Sequence, residues 1–352
     1  MLNIKPKSDS RWDIVSLGEV MLRFDPGDER IRSTRTFRVY EGGGEYNVAR
    51  NLAKCFRLDA AIVTALADNE IGRLVEDLIV QGRVDASRII WRETDGISKT
   101  VRNGMYFWER GFGVRQPAGC SDRGNTAVSQ LKPGDIDFGG LFVEQGTRWF
   151  HTGGIFAGLS ESTADVAAHA MKAARDSGSI VSYDLNYRDS LWSMRGGREA
   201  ANELNSQLLK FADLVFGVEN FDSSLATYEE LKFRSAAEKM IKRHSNVQIV
   251  ATPLRAINNA SSHDLSGACY TGDEIIHGPV FKSIDVLDRV GSGDAFAAGM
   301  IAELLSGRDA KKAIATAAAS GAFALTNPGD SLDCTERDLI RLIETGNLVA
   351  AR

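Results

Sequence analysis

Asp288-Arg-Val-Gly-Ser-Gly-Asp-Ala-Phe-Ala-Ala-Gly299 joins a strand-like run, Val280–Val286, to a strong helical pattern that opens at Asp294 and continues to Ser306. Glycines directly before a helix let the chain turn sharply and leave the first N–H groups of the helix aimed at one point. Those groups and the helix dipole favour an anion there. Asp294, at or just inside the helix start, lies where a carboxylate is itself stabilised. Read alone, the segment fits a loop with an Asp cap equally well. It is not a dinucleotide fingerprint, because Phe296 stands where G-x-G-x-x-G needs its third Gly, and no G-x-x-x-x-G-K-[ST] occurs in the chain.

Upstream, short β-rich runs alternate with helical patterns, the mark of βαβ units around a mostly parallel sheet. Strands are expected at Asp13–Gly18, Ala60–Leu66, Trp149–Gly153, Ser179–Asp184, Asp213–Gly217 and Val247–Thr252. Most are continuous apolar runs, as strands covered by helices on both faces must be. Helices are expected at Tyr46–Phe56, Ile71–Gln81, Thr163–Asp176, Ala201–Phe211 and Asp294–Ser306, and at Ala310–Ala324, whose small residues point to close packing. Two stretches, 21–40 and 98–126, mix aromatic, Arg and Gly residues without a helical period. They are expected to form β-hairpin or loop material, a lid inserted into one domain spanning 1–352.

Bulk properties narrow the function. The 352 residues are 43% hydrophobic and 25% charged, with a formal net charge of −5. That is an ordinary globular composition, and the acidic balance argues against a nucleic-acid backbone binder. The four cysteines, Cys55, Cys120, Cys269 and Cys334, form no C-x-x-C pair, so free thiols fit better than zinc or a disulfide framework. The N-terminal residues have no apolar signal core, and no apolar run reaches the roughly 18 residues of a membrane span. A cytoplasmic protein without a membrane partner is expected.

Two further segments carry polar chemistry. Glu41-Gly-Gly-Gly-Glu-Tyr-Asn47 leads into a helix; its glycines admit a ligand to the backbone, and Asn47 offers a donor and an acceptor to a sugar hydroxyl. The alternative is a flexible turn with a merely polar Asn. Asp184-Leu-Asn-Tyr-Arg188 follows a strand, at the end where open α/β sheets bind ligands. Arg188 could clamp a carboxylate or phosphate with its planar fork, or simply pair with Asp189. Arg123, in Ser121-Asp-Arg-Gly-Asn-Thr126, poses the same choice.

Taken together these segments resemble the ribokinase-like (PfkB) carbohydrate kinases, and within them the 2-keto-3-deoxygluconate kinases. The resemblance runs from Gly18-Glu19 through Gly42-Gly43-x-x-x-Asn47, Asp122-Arg123-Gly124, Asp184-Leu-Asn-Tyr-Arg188-x-x-Leu-Trp192 and Asp288-x-x-Gly-x-Gly-Asp294 to Gly329-Asp330. It implies a three-layer α/β/α fold with a mostly parallel central sheet and a small β lid. It implies ATP and Mg²⁺ as cofactors, with Asp294 as general base and Gly291, Ser292 and Gly293 as an anion hole. Gly42, Gly43 and Asn47 would touch the sugar, and Tyr106, Arg123 and Arg188 would hold its acid group. Thr252, Arg255, Gly291, Gly293 and Asp330 would line the nucleotide site.

One element departs from the family. Its Asn-x-x-Glu, which helps organise Mg²⁺ and phosphates, falls on Phe216-Gly-Val-Glu-Asn-Phe221, placing Val218 and Phe221 at the two positions. No metal residue is assigned, and Arg289 replaces the commoner Thr. The expected reaction is transfer of the γ-phosphate to the primary hydroxyl of 2-keto-3-deoxygluconate, giving the 6-phosphate. The alternatives are a neutral ketohexose or pentose as acceptor, or a catalytically idle sugar-binding protein on the same fold. Pairing of lids in a homodimer would cover an otherwise open sheet face.

Overall fold

The structure, a computed structural model, describes residues 2–346. Its strands are β1 (Trp12–Leu17), β2 (Met21–Asp25), β3 (Arg38–Gly42), β4 (Ala60–Ala67), β5 (Ile89–Arg92), β6 (Met105–Glu109), β7 (Ala118–Asp122), β8 (Thr147–Gly153), β9 (Ile180–Asp184), β10 (Leu214–Phe216), β11 (Ile249–Asn259), β12 (Ser262–Tyr270), β13 (Ile275–His277) and β14 (Phe281–Asp285). The helices are α1 (Gly44–Cys55), α2 (Glu70–Gln81), α3 (Gly154–Ala157), α4 (Glu161–Asp176), α5 (Asp189–Trp192), α6 (Gly197–Leu208), α7 (Glu230–Arg243), α8 (Ser292–Leu305), α9 (Ala310–Ala324) and α10 (Glu336–Thr345).

The central sheet runs β13-β12-β11-β10-β9-β8-β1-β4-β5, with β14 also on β12. Pairs from β11 to β5 are parallel, while β12 joins β11, β13 and β14 antiparallel. Alternate side chains feed two cores. Trp149 packs with Ile14, Ile180 and Phe296 on one face; its neighbour Phe150 packs with Val15, Val181 and Val166 on the other. Each such fully buried side chain contributes about 1.5–3 kcal/mol. Helices therefore cover both faces, and the fold is the ribokinase-like α/β arrangement.

Local chemistry sets the helix ends. Asn69 caps α2 through the Gly72 amide, Ser160 caps α4 through that of Thr163, and Asp309 caps α9 through that of Lys312. Helices α8 and α9 meet at Gly299, where a Cβ would stand 2.6 Å from Ser320 Oγ and 2.8 Å from the Thr316 carbonyl. The small residues of α9 thus serve close packing.

The stretches 21–40 and 98–126 do more than form separate hairpins. β2 pairs antiparallel with β3 and parallel with β6, and β6 pairs with β7, so both stretches join in one sheet of order β3-β2-β6-β7. Phe24, Phe37 and Phe107 pack on it, with Phe24 and Phe107 stacked at 5.0 Å.

Some elements differ from the sequence expectation. The strand expected at Val247–Thr252 runs on to Asn259, because β12 supplies a partner where β10 has ended. Pro253 is tolerated there, since no β10 residue lies opposite it. β5, β12, β13, α7 and α10 were not expected; β5 and β13 are only four and three residues long, and the apolar residues of α7 and α10 are interspersed with charges. The free thiols Cys55 and Cys334 lie 3.6 Å apart, linking the end of α1 to the segment before α10.

Candidate active site

The site lies beyond the carboxyl ends of the parallel strands, where the N-termini of α1 and α8 meet. Gly291 caps α8 at φ +77°, and a Cβ there would sit 1.8 Å from the Asp330 carbonyl. Only glycine fits this turn. The amides of Ser292, Gly293 and Asp294 are those a helix leaves without an internal partner. Ser292 is buried and spends its hydroxyl on the Gly321 carbonyl (2.9 Å), fixing the helix start to α9. Around Gly293 the space is open, with nothing within 4 Å of where a Cβ would be.

Asp294 projects from the first turn of α8. Its Oδ2 accepts a 2.7 Å hydrogen bond from Asn47 Nδ2, and Asn47 Oδ1 accepts from the Gly43 amide at 3.3 Å. Asp294 Oδ1 faces Gly44, whose missing side chain leaves room between Asn186 and Asp294. Burial pushes the Asp294 carboxyl up to about 7; Asn47 and Arg188 oppose that shift, while Asp184 and Asp330 add to it. Asp184 is raised by burial to about 6, and its Oδ1 accepts from the Asn186 amide.

More carboxyls crowd beneath. Glu45, on α1, is buried; its own burial first, then Glu19 and Asp294, raise it to about 8. The Phe156 amide donates to Glu45 Oε1 at 3.3 Å. Glu19 is buried too and pairs with Arg123 at 3.2 Å.

The sequence-nominated residues therefore separate into groups. Asn47, Asp294 and the anion-hole segment 291–293 converge, with Gly43 behind Asn47. Arg188, at the start of α5, makes no ion pair among the described residues and acts on the charges of Asp184 and Asp294. Arg123, in contrast, is already neutralised by Glu19. Tyr106 donates its hydroxyl to Asp330, and Asp330 accepts from the fully buried Arg23 at 2.6 Å. Arg23 also bonds Asp25 (3.0 Å) and Asp288, and Arg110 reaches Asp25 at 3.0 Å. Gly42 belongs to this network: a Cβ there would meet Asp330 Oδ2 and the Tyr106 hydroxyl at 2.5 Å. The carboxylate of Asp330 is thus bound to the small sheet, and the carbonyl, not the side chain, touches the anion loop. Thr252 is buried within β11, while Arg255 is partly exposed further along that strand.

Glu45, Asp184, Asn186 and Arg23 had not been singled out. Glu45 and Asp184 were visible inside quoted motifs; Arg23, within an irregular aromatic stretch, gave no signal. For a metal, the described residues contain no cluster of three or more His, Cys, Asp or Glu able to hold an ion. Glu219 pairs with Arg243 at 3.9 Å and lines a cleft of about 990 Å³ against α7.

An amide-lined helix start beside a carboxylate held by an Asn side chain is an arrangement suited to phosphoryl transfer. The model of the pfkB family carbohydrate kinases matches residues 141–337, and the chain belongs to that family. It is 26% identical over 346 residues to a 2-dehydro-3-deoxygalactonokinase of Haloferax volcanii, covering 95% of this chain and 98% of that one. It superposes on a 2-dehydro-3-deoxygluconokinase of Thermotoga maritima with a TM-score of 0.84 at 30% identity, covering 94% and 99% of the two chains. A putative 2-keto-3-deoxygluconate kinase of Enterococcus faecalis gives a TM-score of 0.84 at 26% identity, covering 96% and 98%. The protein is an ATP-dependent sugar kinase.

Proposed function

We propose that this kinase phosphorylates the terminal hydroxyl of 2-keto-3-deoxygluconate, with Asp294 as the base. The observation that carries the mechanism is the split use of the Asp294 carboxylate: Oδ2 is held by Asn47, while Oδ1 lies beside Gly44 and takes no hydrogen bond from the described residues. A sugar hydroxyl bonded to Oδ1 is oriented for attack on phosphorus. As the new O–P bond forms, its proton passes to Asp294, and the bond to the leaving ADP breaks with its electron pair. The amides of 291–294 bear the charge on the transferring oxygens. A bound Mg²⁺ would supply further charge neutralisation on the transferring group.

A sugar acid needs a cation, and Arg188 is available beside the acceptor site. Two of the groups expected to join it are engaged elsewhere: Arg123 with Glu19, and Tyr106 with Asp330. That favours keeping a neutral ketohexose or pentose as the second reading. The small sheet acts as a lid on one kinase domain spanning 1–352, excluding water from the transfer. Strand β7 is exposed along its whole length at the edge of that sheet, and edge pairing with a second copy would cover it. The enzyme works in the cytoplasm, where its ATP is found.

A coupled ADP-release assay over a sugar panel tests the substrate. Turnover with 2-keto-3-deoxygluconate at a kcat/KM at least about tenfold above fructose and ribose is expected. A preference for the neutral sugars would overturn the assignment.

A further inference from the structure

The turn at Gly291 is held from two sides, and both holds end on one guanidinium. Arg23 stands on β2 of the small sheet, and its side chain has no exposed surface. One terminal nitrogen donates to Asp330 Oδ1 at 2.6 Å. The other donates to Asp25 Oδ2 at 3.0 Å and to Asp288 Oδ2. Asp288 opens the loop that leads into α8, and its Oδ1 accepts from the Val290 amide at 3.2 Å. Asp330 stands behind the same loop, its carbonyl 1.8 Å from where a Cβ on Gly291 would be.

The rest of the small sheet turns toward the same point. Tyr106 on β6 donates its hydroxyl to the second oxygen of Asp330. Tyr40 on β3 lies against Gly329, where a Cβ would come 3.1 Å from the ring. The guanidinium carbon of Arg23 is 5.8 Å from the centre of that same ring. Adjacent strands β3, β2 and β6 thus all bear on 329–330. Arg110, just past β6, shares Asp25 at 3.0 Å and holds the third partner of Arg23 in place.

As a plain fastening this arrangement would be costly. Two guanidiniums and three carboxylates are withdrawn from water, and apolar side chains of similar volume hold elements together at least as well. What apolar packing does not supply is direction. A rigid plane with donors at fixed angles sets where each carboxylate lies. Here two of those carboxylates flank the helix start whose first amides have no internal partner.

We propose that Arg23 is a positioning residue of the phosphoryl transfer: it fixes the anion loop at Gly291–Asp294 by gripping Asp288 in front and Asp330 behind. The inference rests on the role given above to the α8 amides and adds the group that sets their geometry. Being wholly buried, Arg23 touches neither sugar nor nucleotide and acts through the two acids. The loop takes its working shape when the small sheet is seated on it, so covering the site and aligning its amides are one event.

The test compares wild type with Arg23→Lys and Asp330→Ala by steady-state rates, taken below every melting transition, and by amide hydrogen exchange. A lysine offers one nitrogen and cannot reproduce the two-sided hold. Asp330→Ala releases the rear side alone and leaves Arg23 with Asp25 and Asp288. Arg23→Lys is expected to lower kcat by about 10²-fold, the scale for misplacing a group by about an ångström, with the sugar KM changed less than about threefold. The amides of Leu287, Asp288, Val290 and Ala295 bond to the Leu325 carbonyl, Asp288 Oδ1 and the Gly291 carbonyl. Exchange across 287–295 is expected to quicken at least about tenfold more than in β8. A kcat within about twofold of wild type in Arg23→Lys, a loss confined to a KM, or equal quickening in both segments overturns the proposal. Should Arg23→Lys fail to fold, Asp330→Ala decides: wild-type kcat in the folded variant refutes it, and depressed kcat with quickened exchange at 287–295 supports it. Failure of the underlying mechanism looks different, because wild type itself would then release no sugar-dependent ADP, whereas the exchange result does not depend on turnover.

Discussion

The side-chain amide of Asn47 donates to the Asp294 carboxylate at 2.7 Å, joining the first turns of two helices 247 residues apart in the chain. The bond stabilises the ionised carboxylate against the burial that raises its pKa to about 7. It also fixes which oxygen meets the substrate.

Replacing Asn47 with Leu removes that stabilisation, so the Asp294 pKa rises further. The base must be ionised to accept a proton, so kcat climbs as pH passes upward through the pKa. In wild type the acidic limb is expected near pH 7, and in Asn47→Leu it moves to higher pH. At neutral pH the variant loses about tenfold in kcat and regains part of it in alkaline buffer. A pH–rate profile checks this; coincident limbs would show that the bond does not tune the base.

Glu45 predicts a pH-dependent stability. Burial holds its folded pKa at about 8, above the 4.5 of an ordinary glutamate. Between those values the unfolded chain ionises Glu45 while the folded chain retains the proton. Stability from this group is therefore complete below the unfolded value and declines as pH rises, by up to about 1.4 kcal/mol per pH unit. Glu45→Gln, a neutral mimic, should flatten the fall in Tm between about pH 5 and about pH 8. Parallel Tm curves for variant and wild type would contradict it.

Two glycines of the anion loop should fail in different ways. Gly291→Ala places a Cβ at φ +77° and 1.8 Å from the Asp330 carbonyl, so it should lose about 1–3 kcal/mol from backbone conformation alone. Gly293→Ala meets no protein atom within 4 Å. Its methyl group enters the space reserved for phosphate, so it should keep wild-type Tm and lose activity. Melting curves beside rate assays separate the two.

Arg188→Ala should raise KM for the sugar acid by about 10- to 100-fold, the worth of a charged hydrogen bond of 1.5–3 kcal/mol. KM for a neutral sugar should hardly move. Equal losses for both would make Arg188 a structural residue.

Much of this molecule is readable along the chain, for local reasons. The runs at Ala60–Ala67 and Trp149–Gly153 are apolar because both faces are covered, and Gly291-Ser-Gly293 stands out because a left-handed turn precedes a helix. What is hidden depends on distant partners. Arg23 binds Asp25, Asp288 and Asp330, and the last two are 265 and 307 residues away. The same network absorbs Tyr106 and Asp330, which motif reading places on ligands. Strand β12 escapes notice because Ser262–Tyr270 mixes polar and apolar residues, one face being covered by α9 and its pairing coming from β11.

Asp294→Asn is the most direct test, measured as kcat together with equilibrium binding of ATP and of the sugar. A loss of about 10²–10⁴-fold in kcat, with both dissociation constants close to wild type, is the predicted result. Turnover near the wild-type rate would show that the carboxylate at the foot of α8 is not the base.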